Sequence, residues 1–235
     1  MKTTKLKKAF RYFAAALFVP FVLTGCDIGG DIVIPSGATE LSVNMKSDDN
    51  TYDNPLDVVV ITEAKALITE VEYERERDGV NQLHQNGPFV INFSLDGSLK
   101  ELLKSYIVRD IYTKAKFKIH KPEDNESIPD PDFREGSSGN QRYSFIIKGT
   151  YNGTPFIYKS KKSMNIVINL NKTSNINLKN QNLTVIFNKS LWFSSGNNVI
   201  NPTLAQNENA IDDNLKNSFK QVFVDDNKDG RPDDN

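Results

Sequence analysis

Apolar and polar residues alternate along most of the chain, which is the pattern of β-strands with one buried face. Alternating segments cover residues 41–45 and 89–95, and an apolar run covers 57–61. Turn-forming residues separate these segments, as at Asp96-Gly97, which directly follows the second one. The same pattern predicts further strands at 164–170 and 183–187.

The clearest hairpin prediction lies in residues 142–159. Asn152-Gly153 is the preferred pair for a two-residue type I′ turn, because both central residues of that turn need positive φ. The turn sets the register, with Tyr151 opposite Thr154. One face of the hairpin is then apolar and the other mixes lysine with isoleucine, as in a half-buried antiparallel sheet.

Residues 63–77 fit two patterns. The apolar positions that match a helix are Ala64, Leu67, Ile68 and Val71. Those that match a strand are Leu67, Thr69, Val71 and Tyr73. We predict a strand here, because strands are predicted on both sides.

One helix is predicted near the end of the chain. Ile211, Leu215, Phe219 and Val222 recur at steps of four, four and three, which forms an apolar stripe on a helix. We assign residues 201–224 to this segment and expect its stripe to pack on the sheet. The resulting fold class is mostly β, an antiparallel β-sandwich over residues 40–200 with one amphipathic helix.

The N-terminus has the layout of an export signal. Five basic residues and no acids occur in residues 1–12, and an uncharged apolar run follows at 13–23. This run is too short to span a bilayer, which needs roughly 20 apolar residues, and fits the core of a signal peptide. It ends in Leu23-Thr24-Gly25-Cys26.

That tetrapeptide resembles the lipobox of bacterial lipoproteins. The resemblance implies a covalent lipid on Cys26, such as palmitate, and cleavage before it. Residues 1–25 would then be a signal peptide and 26–39 the lipidated cysteine with a short tether. The alternative is an ordinary signal peptide followed by a chance cysteine.

Composition limits the function of the remaining chain. Removing the five basic residues before Cys26 leaves 24 basic against 30 acidic residues, a net charge of −6. This balance argues against nucleic acid as a partner. Cys26 is the one cysteine, so no intrachain disulfide can form and a hydrophobic core must provide the stability.

A second resemblance covers residues 40–190. It rests on four short motifs: Pro88-Phe89-Val90, Leu95-Asp96-Gly97, Tyr112-Thr113-Lys114 and Lys116-Phe117-Lys118-Ile119. Together they resemble an uncharacterised family of bacterial surface lipoproteins. The likeness implies a transthyretin-like or immunoglobulin-like β-sandwich and supplies no reaction.

Residues 225–233 resemble the calcium loops of EF-hand, dockerin and thrombospondin type 3 modules. Ca²⁺ takes six to eight oxygen ligands. Counted from Asp225 as position 1, Gly230 is at position 6, where a Gly permits the sharp turn of such loops. Position 12, where an EF-hand has a bidentate Glu, lies beyond Asn235. The ligands implied by the resemblance are the side chains of Asp225, Asn227, Asp229 and Asp233 and the carbonyl of Arg231. The alternative is that residues 225–235 form an acidic, solvated tail.

Two stripes of like charge follow from the alternation. The strand prediction places four acids on one face, namely Glu70, Glu72, Glu74 and Glu76. A strand over 112–120 places four bases outward, namely Lys114, Lys116, Lys118 and His120. If each stripe bound a ligand, the acidic stripe would be a cation site and the basic stripe an anion site. We favour a cross-strand ladder of ion pairs or plain solvated faces.

Catalytic chemistry has little basis in this sequence. His84 and His120 are the two histidines, neither has metal-ligand spacing, and no Gly-x-Ser-x-Gly motif occurs. We expect no enzyme, the alternative being a glycan hydrolase with two acids from loop 122–133. Trp192 and Phe193 are the candidates for an aromatic sugar-binding surface, and burial in the core is the competing interpretation.

The sequence predicts a lipid-anchored envelope lipoprotein that acts as a non-enzymatic binding or structural module. One alternative is a calcium-dependent lipoprotein that binds carbohydrate or protein for uptake or adhesion; the other is the hydrolase. The partners are the membrane, through the lipid, and a glycan or envelope protein. The outer membrane or cell surface is favoured over the inner membrane, although Asp27 directs inner-membrane retention in some enteric bacteria.

Overall fold

The computed structural model describes most of the chain after residue 36, in the ranges 37–48, 58–77, 81–124, 126–134, 141–175 and 181–233. For 81–86 and 171–175 it describes the backbone alone. The predicted signal peptide, Cys26 and most of the tether lie outside these ranges. No helix within them is long and apolar enough to cross a membrane.

Within the described ranges the chain forms twelve strands and one α-helix. The strands are β1 Ala38–Ser47, β2 Val59–Arg75, β3 Asn81–Asn92, β4 Lys100–Val108, β5 Ile111–Ile119, β6 Phe145–Tyr151, β7 Thr154–Ser160, β8 Met164–Asn175, β9 Gln181–Phe187, β10 Ser194–Ser195, β11 Asn198–Val199 and β12 Phe219–Val224. The helix is α1, Glu208–Asn217. Short 3₁₀ turns occupy Pro131–Phe133, Lys189–Leu191 and Ala205–Asn207.

Ten of these strands form one sheet in the order β4-β1-β9-β12-β8-β5-β2-β6-β7, with β3 also paired to β2. Most neighbours are antiparallel, whereas β1 with β9 and β8 with β12 are parallel. The prediction of a mostly β protein is therefore confirmed. The sheet is mixed rather than purely antiparallel.

Strand β2 is the longest and is paired on both sides. Strand β3 occupies one side of it from Lys65 to Glu74. Strands β5 and β6 share the other side end to end, β5 beside Ile68–Arg75 and β6 beside Val59–Ala66. The strand prediction for residues 63–77 is confirmed over the length of β2, and the helical alternative is wrong.

The strands run between two ends of the sheet, which we call the lower and upper ends. Ala38 begins β1 at the lower end, where it lies opposite Val108, the last residue of β4. At the upper end, β2 begins at Val59, opposite Tyr151 beside the β6–β7 turn. The predicted turn is confirmed, because Asn152 and Gly153 have φ of 50° and 76°.

An aromatic cluster shows that the sheet is curled. Phe145 on β6 and Phe187 on β9 are separated by four strands in the sheet order. Their rings nevertheless both pack on Trp192, at 5.7 and 5.6 Å between centroids, and Phe93 lies among all three. Burying each such side chain contributes roughly 1.5–3 kcal/mol to folding. These contacts therefore stabilise the curvature that encloses the core.

The C-terminal helix is shorter than predicted. Ile211 and Leu215 are fully buried on the core from α1, as expected. The chain leaves the helix at Ser218, and Phe219–Val224 forms β12, paired antiparallel with β9. The prediction of helix to residue 224 is wrong there, because pairing with β9 satisfies this segment's main chain and local periodicity does not reveal that partner.

Gly149 offers a test of the contact between β2 and β6. A Cβ atom at this position would lie 2.1 Å from the carbonyl oxygen of Val60, which is main chain and cannot rotate away. We expect Gly149→Ala to lower the free energy of unfolding by about 1–3 kcal/mol, the range for overpacking. Urea denaturation measures this change. The matched control is Thr150→Ala on the same strand, and equal stability of the two variants would contradict the packing described here.

Candidate functional site

The upper end of the sheet is covered by residues 188–217, which we call the cap. It comprises the 3₁₀ turn Lys189–Leu191, the β10–β11 hairpin and α1. Tyr158 of β7 holds α1 in place by donating its hydroxyl to the carboxylate of Asp212 at 2.7 Å. Burial, together with this hydrogen bond and the charge of Asp212, raises the pKa of Tyr158. The Tyr158 hydroxyl therefore remains the donor at neutral pH.

A cleft of 240 Å³ opens between the start of β2 and the cap. We call it the upper cleft; its lining residues are Val59, Val60, Ile61, Lys189, Ser190, Phe193 and Val199. Most of these are apolar, and the Lys189 ammonium donates to the carbonyl of Leu95. The Val60 side chain is 44% exposed at the rim. Such a concave apolar surface with few polar groups is typical of a small binding site.

The two aromatic residues predicted to bind a ligand take different positions. Trp192 is fully buried in the aromatic cluster, so it offers no face to a sugar. Phe193 packs edge-on against Phe156 at 5.4 Å and forms a wall of the upper cleft. Sequence reasoning missed the other apolar lining residues, because Val59 and Val199 are distant in the chain.

The predicted calcium loop is folded against the sheet through a buried acid. Asp225 is fully buried, and its carboxylate accepts a hydrogen bond from the Thr184 hydroxyl of β9 at 2.6 Å. It also accepts the main-chain N–H groups of Asp229 and Gly230 at 2.9 and 3.1 Å. These bonds satisfy a carboxylate that would be costly to bury alone. The acidic segment is therefore docked on the sheet over residues 225–233 rather than being a free tail.

The other predicted ligands belong to the same turn. Asn227 accepts from the N–H of Asp229 at 3.0 Å, and Asp229 accepts from that of Arg231 at 2.8 Å. Asp233 accepts from the N–H of Asp226 at 2.6 Å. Among the described residues, no group of three or more acids, histidines or cysteines is arranged to hold a metal. The loop therefore gathers the predicted ligands without converging their side chains.

The charge stripes of β2 and β5 pair with each other. Lys118 contacts Glu70 at 2.5 Å and Glu72 at 2.9 Å, and Lys114 contacts Glu74 at 2.6 Å. The hydrogen bond from Lys114 lowers the pKa of Glu74. The prediction of a cross-strand ladder is confirmed, and each partly exposed pair contributes roughly 0.2–1 kcal/mol.

Two acids of loop 122–133 hold a buried lysine. Lys65 on β2 is 6% exposed, and its ammonium donates to Asp130 at 2.5 Å and to Asp132 at 2.7 Å. Burial lowers the pKa of Lys65, but the hydrogen bonds and the charges of the two aspartates together outweigh it, so the pKa is raised overall. Phe133 lies beneath, with its ring 5.6 Å from the ammonium. These carboxylates therefore fix the loop to the outside of the sheet.

Comparisons with known proteins found no match: no family model fits the chain, and no curated protein or solved structure is significantly similar. The lipobox and the likeness to surface lipoproteins therefore stay predictions from the sequence.

Replacing Lys65 should destabilise the protein. Lys65→Met keeps the length of the stem but removes the cation that joins Asp130 and Asp132, and Asp132 then keeps only its longer contact with Lys148 at 3.5 Å. We expect a loss of about 1.5–3 kcal/mol in the free energy of unfolding, the range for hydrogen bonds to charged groups. The measurement is the urea midpoint, compared with that of Lys161→Met at an exposed lysine. A Lys65 variant as stable as this control would show that the pairing contributes nothing.

Proposed function

We propose that this chain is a lipid-anchored bacterial envelope lipoprotein whose β body acts as a non-enzymatic binding or structural module. The observation that carries the proposal is the order of features before Cys26: basic residues, a short apolar run, then Leu23-Thr24-Gly25-Cys26. A covalent lipid on Cys26 would hold the body at the outer membrane or cell surface.

The direction of β1 relates the upper cleft to the end of the body that the tether would join. Strand β1 begins at Ala38, twelve residues after Cys26, so the tether reaches at most about 40 Å. The ten residues of β1 then extend roughly 33 Å from the lower end toward the upper end. The tether would thus join the body at the lower end of β1, and the upper cleft lies at the other end of the sheet.

The surroundings of the predicted sites favour a protein partner over a glycan. Buried Trp192 gives a sugar no flat aromatic surface, and Asp130 and Asp132 are bound to Lys65. The hydrolase therefore has less support than the binding module. The upper cleft, with its apolar walls and main chain of β2, suits contact with an envelope protein.

We also infer that the curled sheet folds into the two layers of a β-sandwich of transthyretin-like or immunoglobulin-like type. Support comes from residues that meet across the core. The Tyr73 hydroxyl on β2 lies beside Ser105 on β4, at distant positions in the strand order. The ring contacts of Phe145 and Phe187 with Trp192 join another such pair of strands.

Replacing Cys26 tests the anchor. Cys26→Ser removes the thiol that the lipid would modify, so the protein should fail to label with radioactive palmitate and should leave the membrane fraction. Thr24→Ser, which keeps a small residue in the lipobox, is the control and should label normally. A Cys26→Ser variant that stays with membranes through a high-salt wash would refute the lipoprotein assignment.

Calcium binding by residues 225–233 is a second candidate function, favoured by the folded loop. Its donors are all oxygen, which is the ligand type that Ca²⁺ takes. The hydrogen bonds of Asp225 to the N–H groups of Asp229 and Gly230 already hold the loop in a tight turn. To hold the ion with the carbonyl of Arg231, the side chains of Asp225, Asn227, Asp229 and Asp233 would have to turn toward one point, since they do not converge in this structure. Calcium would offset the repulsion between the carboxylates of the three aspartates.

Calorimetric titration with calcium tests this candidate on the wild type and on Asp229→Ala. We expect a dissociation constant of about 10⁻⁴–10⁻³ M for the wild type, as in extracellular modules, and weaker binding by the variant. At tenfold excess over that constant, calcium should stabilise the fold by about 1.4 kcal/mol. No heat at millimolar calcium, or equal binding by the variant, would mean that the loop is structural only.

A further inference from the structure

The first residues of β2 have one open edge. Strand β3 ends at Asn92, and its last contact with β2 is the N–H of Phe93 donating to the carbonyl of Ala64 at 2.9 Å. Before Ala64, no strand in the described part of the chain pairs with β2 on that side. Residues 59–63 are therefore paired with β6 alone.

The main-chain groups at this edge can be assigned by their alternation. The N–H of Asn152 donates to the carbonyl of Val58 at 2.7 Å, so Val58 faces the β6 side. Main-chain direction alternates along a strand, so Val60 faces β6 as well. The N–H and carbonyl groups of Val59 and Ile61 consequently point to the open side, where a further strand would bind them.

This edge carries no lysine or proline at residues 58–62, although a β-bulge shifts its register with β6 between Ile61 and Glu63. Natural edges are often blocked by lysine or proline, as β7 is by Pro155 and Lys159 on the other margin of the sheet. Residues 58–62 read Val-Val-Val-Ile-Thr, which are all β-branched and favour extended backbone. The composition therefore favours strand addition at this position.

The upper cleft lies directly beside the open edge. Val59, Val60 and Ile61 contribute to both, while Phe193 and Val199 of the cap form the opposite wall. An extended peptide paired with Val59 and Ile61 would direct alternate side chains to one face, so one apolar side chain could enter the cleft. Main-chain bonds would then supply the affinity and the cleft would supply the selectivity.

We propose that the upper end binds an extended segment of a partner protein, which adds as a strand to the edge at Val59–Ile61 and inserts an apolar side chain into the upper cleft. The proposal deepens the binding role proposed above and does not depend on the lipid anchor. The occupant is defined by its chemistry: a free main chain over at least three residues, with valine-sized or phenylalanine-sized side chains at alternate positions.

The test uses two fluorescent nonapeptides with alternating valine and threonine, lysine at each end, and valine or phenylalanine at the centre. Each is titrated by anisotropy against the full purified chain, up to millimolar concentration. A matched pair of peptides carries methyl groups on alternate main-chain nitrogens, which keeps the side chains but removes the donors. We expect saturable binding of at least one unmethylated peptide and at least tenfold weaker binding of its methylated form.

A pair of variants tests the cleft itself. Val199→Trp fills the cleft and should weaken binding at least tenfold, while Val167→Trp makes the same change at an exposed valine on β8 and should leave binding unchanged. No binding of either unmethylated peptide, or equal binding of the methylated form, would overturn the proposal. An equal effect of the two variants would also overturn it. Self-association of the chain that Val199→Trp abolishes would overturn it as well, because the edge would then bind a second copy of this chain.

The outcome separates this proposal from the anchor. A chain that binds peptide but carries no lipid would refute the lipoprotein assignment and support the edge. A lipidated chain that binds neither peptide would refute the edge and leave the anchor intact.

Discussion

The fold depends on the main-chain hydrogen bonds of one strand, β2. At seventeen residues it is too long for any single neighbour, so β3, β5 and β6 divide its two sides between them. Every main-chain N–H and carbonyl that is buried needs a partner, and this division supplies most of them. Among the described residues, no strand pairs with the remainder at Val59–Ile61, and the cap forms a cleft beside it at the upper end.

Buried charges hold the segments that lie outside the sheet. Lys65 fixes the acidic loop by donating hydrogen bonds to Asp130 and Asp132. Asp225 fixes the C-terminal loop by accepting hydrogen bonds from the Thr184 hydroxyl and from main-chain N–H groups. In both places one buried Lys or Asp side chain is surrounded by several hydrogen-bond partners, which offset the cost of removing it from water. The acids of these loops therefore have structural partners, although composition alone suggested solvated turns or ligands.

Local signals in the sequence predicted local structure well. Asn152-Gly153 specifies its own turn and register, and the alternating acids of β2 and lysines of β5 correctly indicated adjacent strands. Contacts between distant segments that no charge pattern marks were not predictable. The spacing of Phe219 and Val222 matches a helix, but in the folded chain these residues form β12, paired with β9. The upper cleft brings Val60 and Val199 together, and these residues are too far apart in the sequence for a local pattern to relate them.

The parallel pairing of β1 with β9 has a consequence for the order of folding. It joins Leu41 to Gln181, about 140 residues later, and β12 follows on the other side of β9. Contacts of such sequence separation require closure of a long loop before they add stability, which slows folding. The first strand therefore cannot complete its pairing until nearly the whole chain is present.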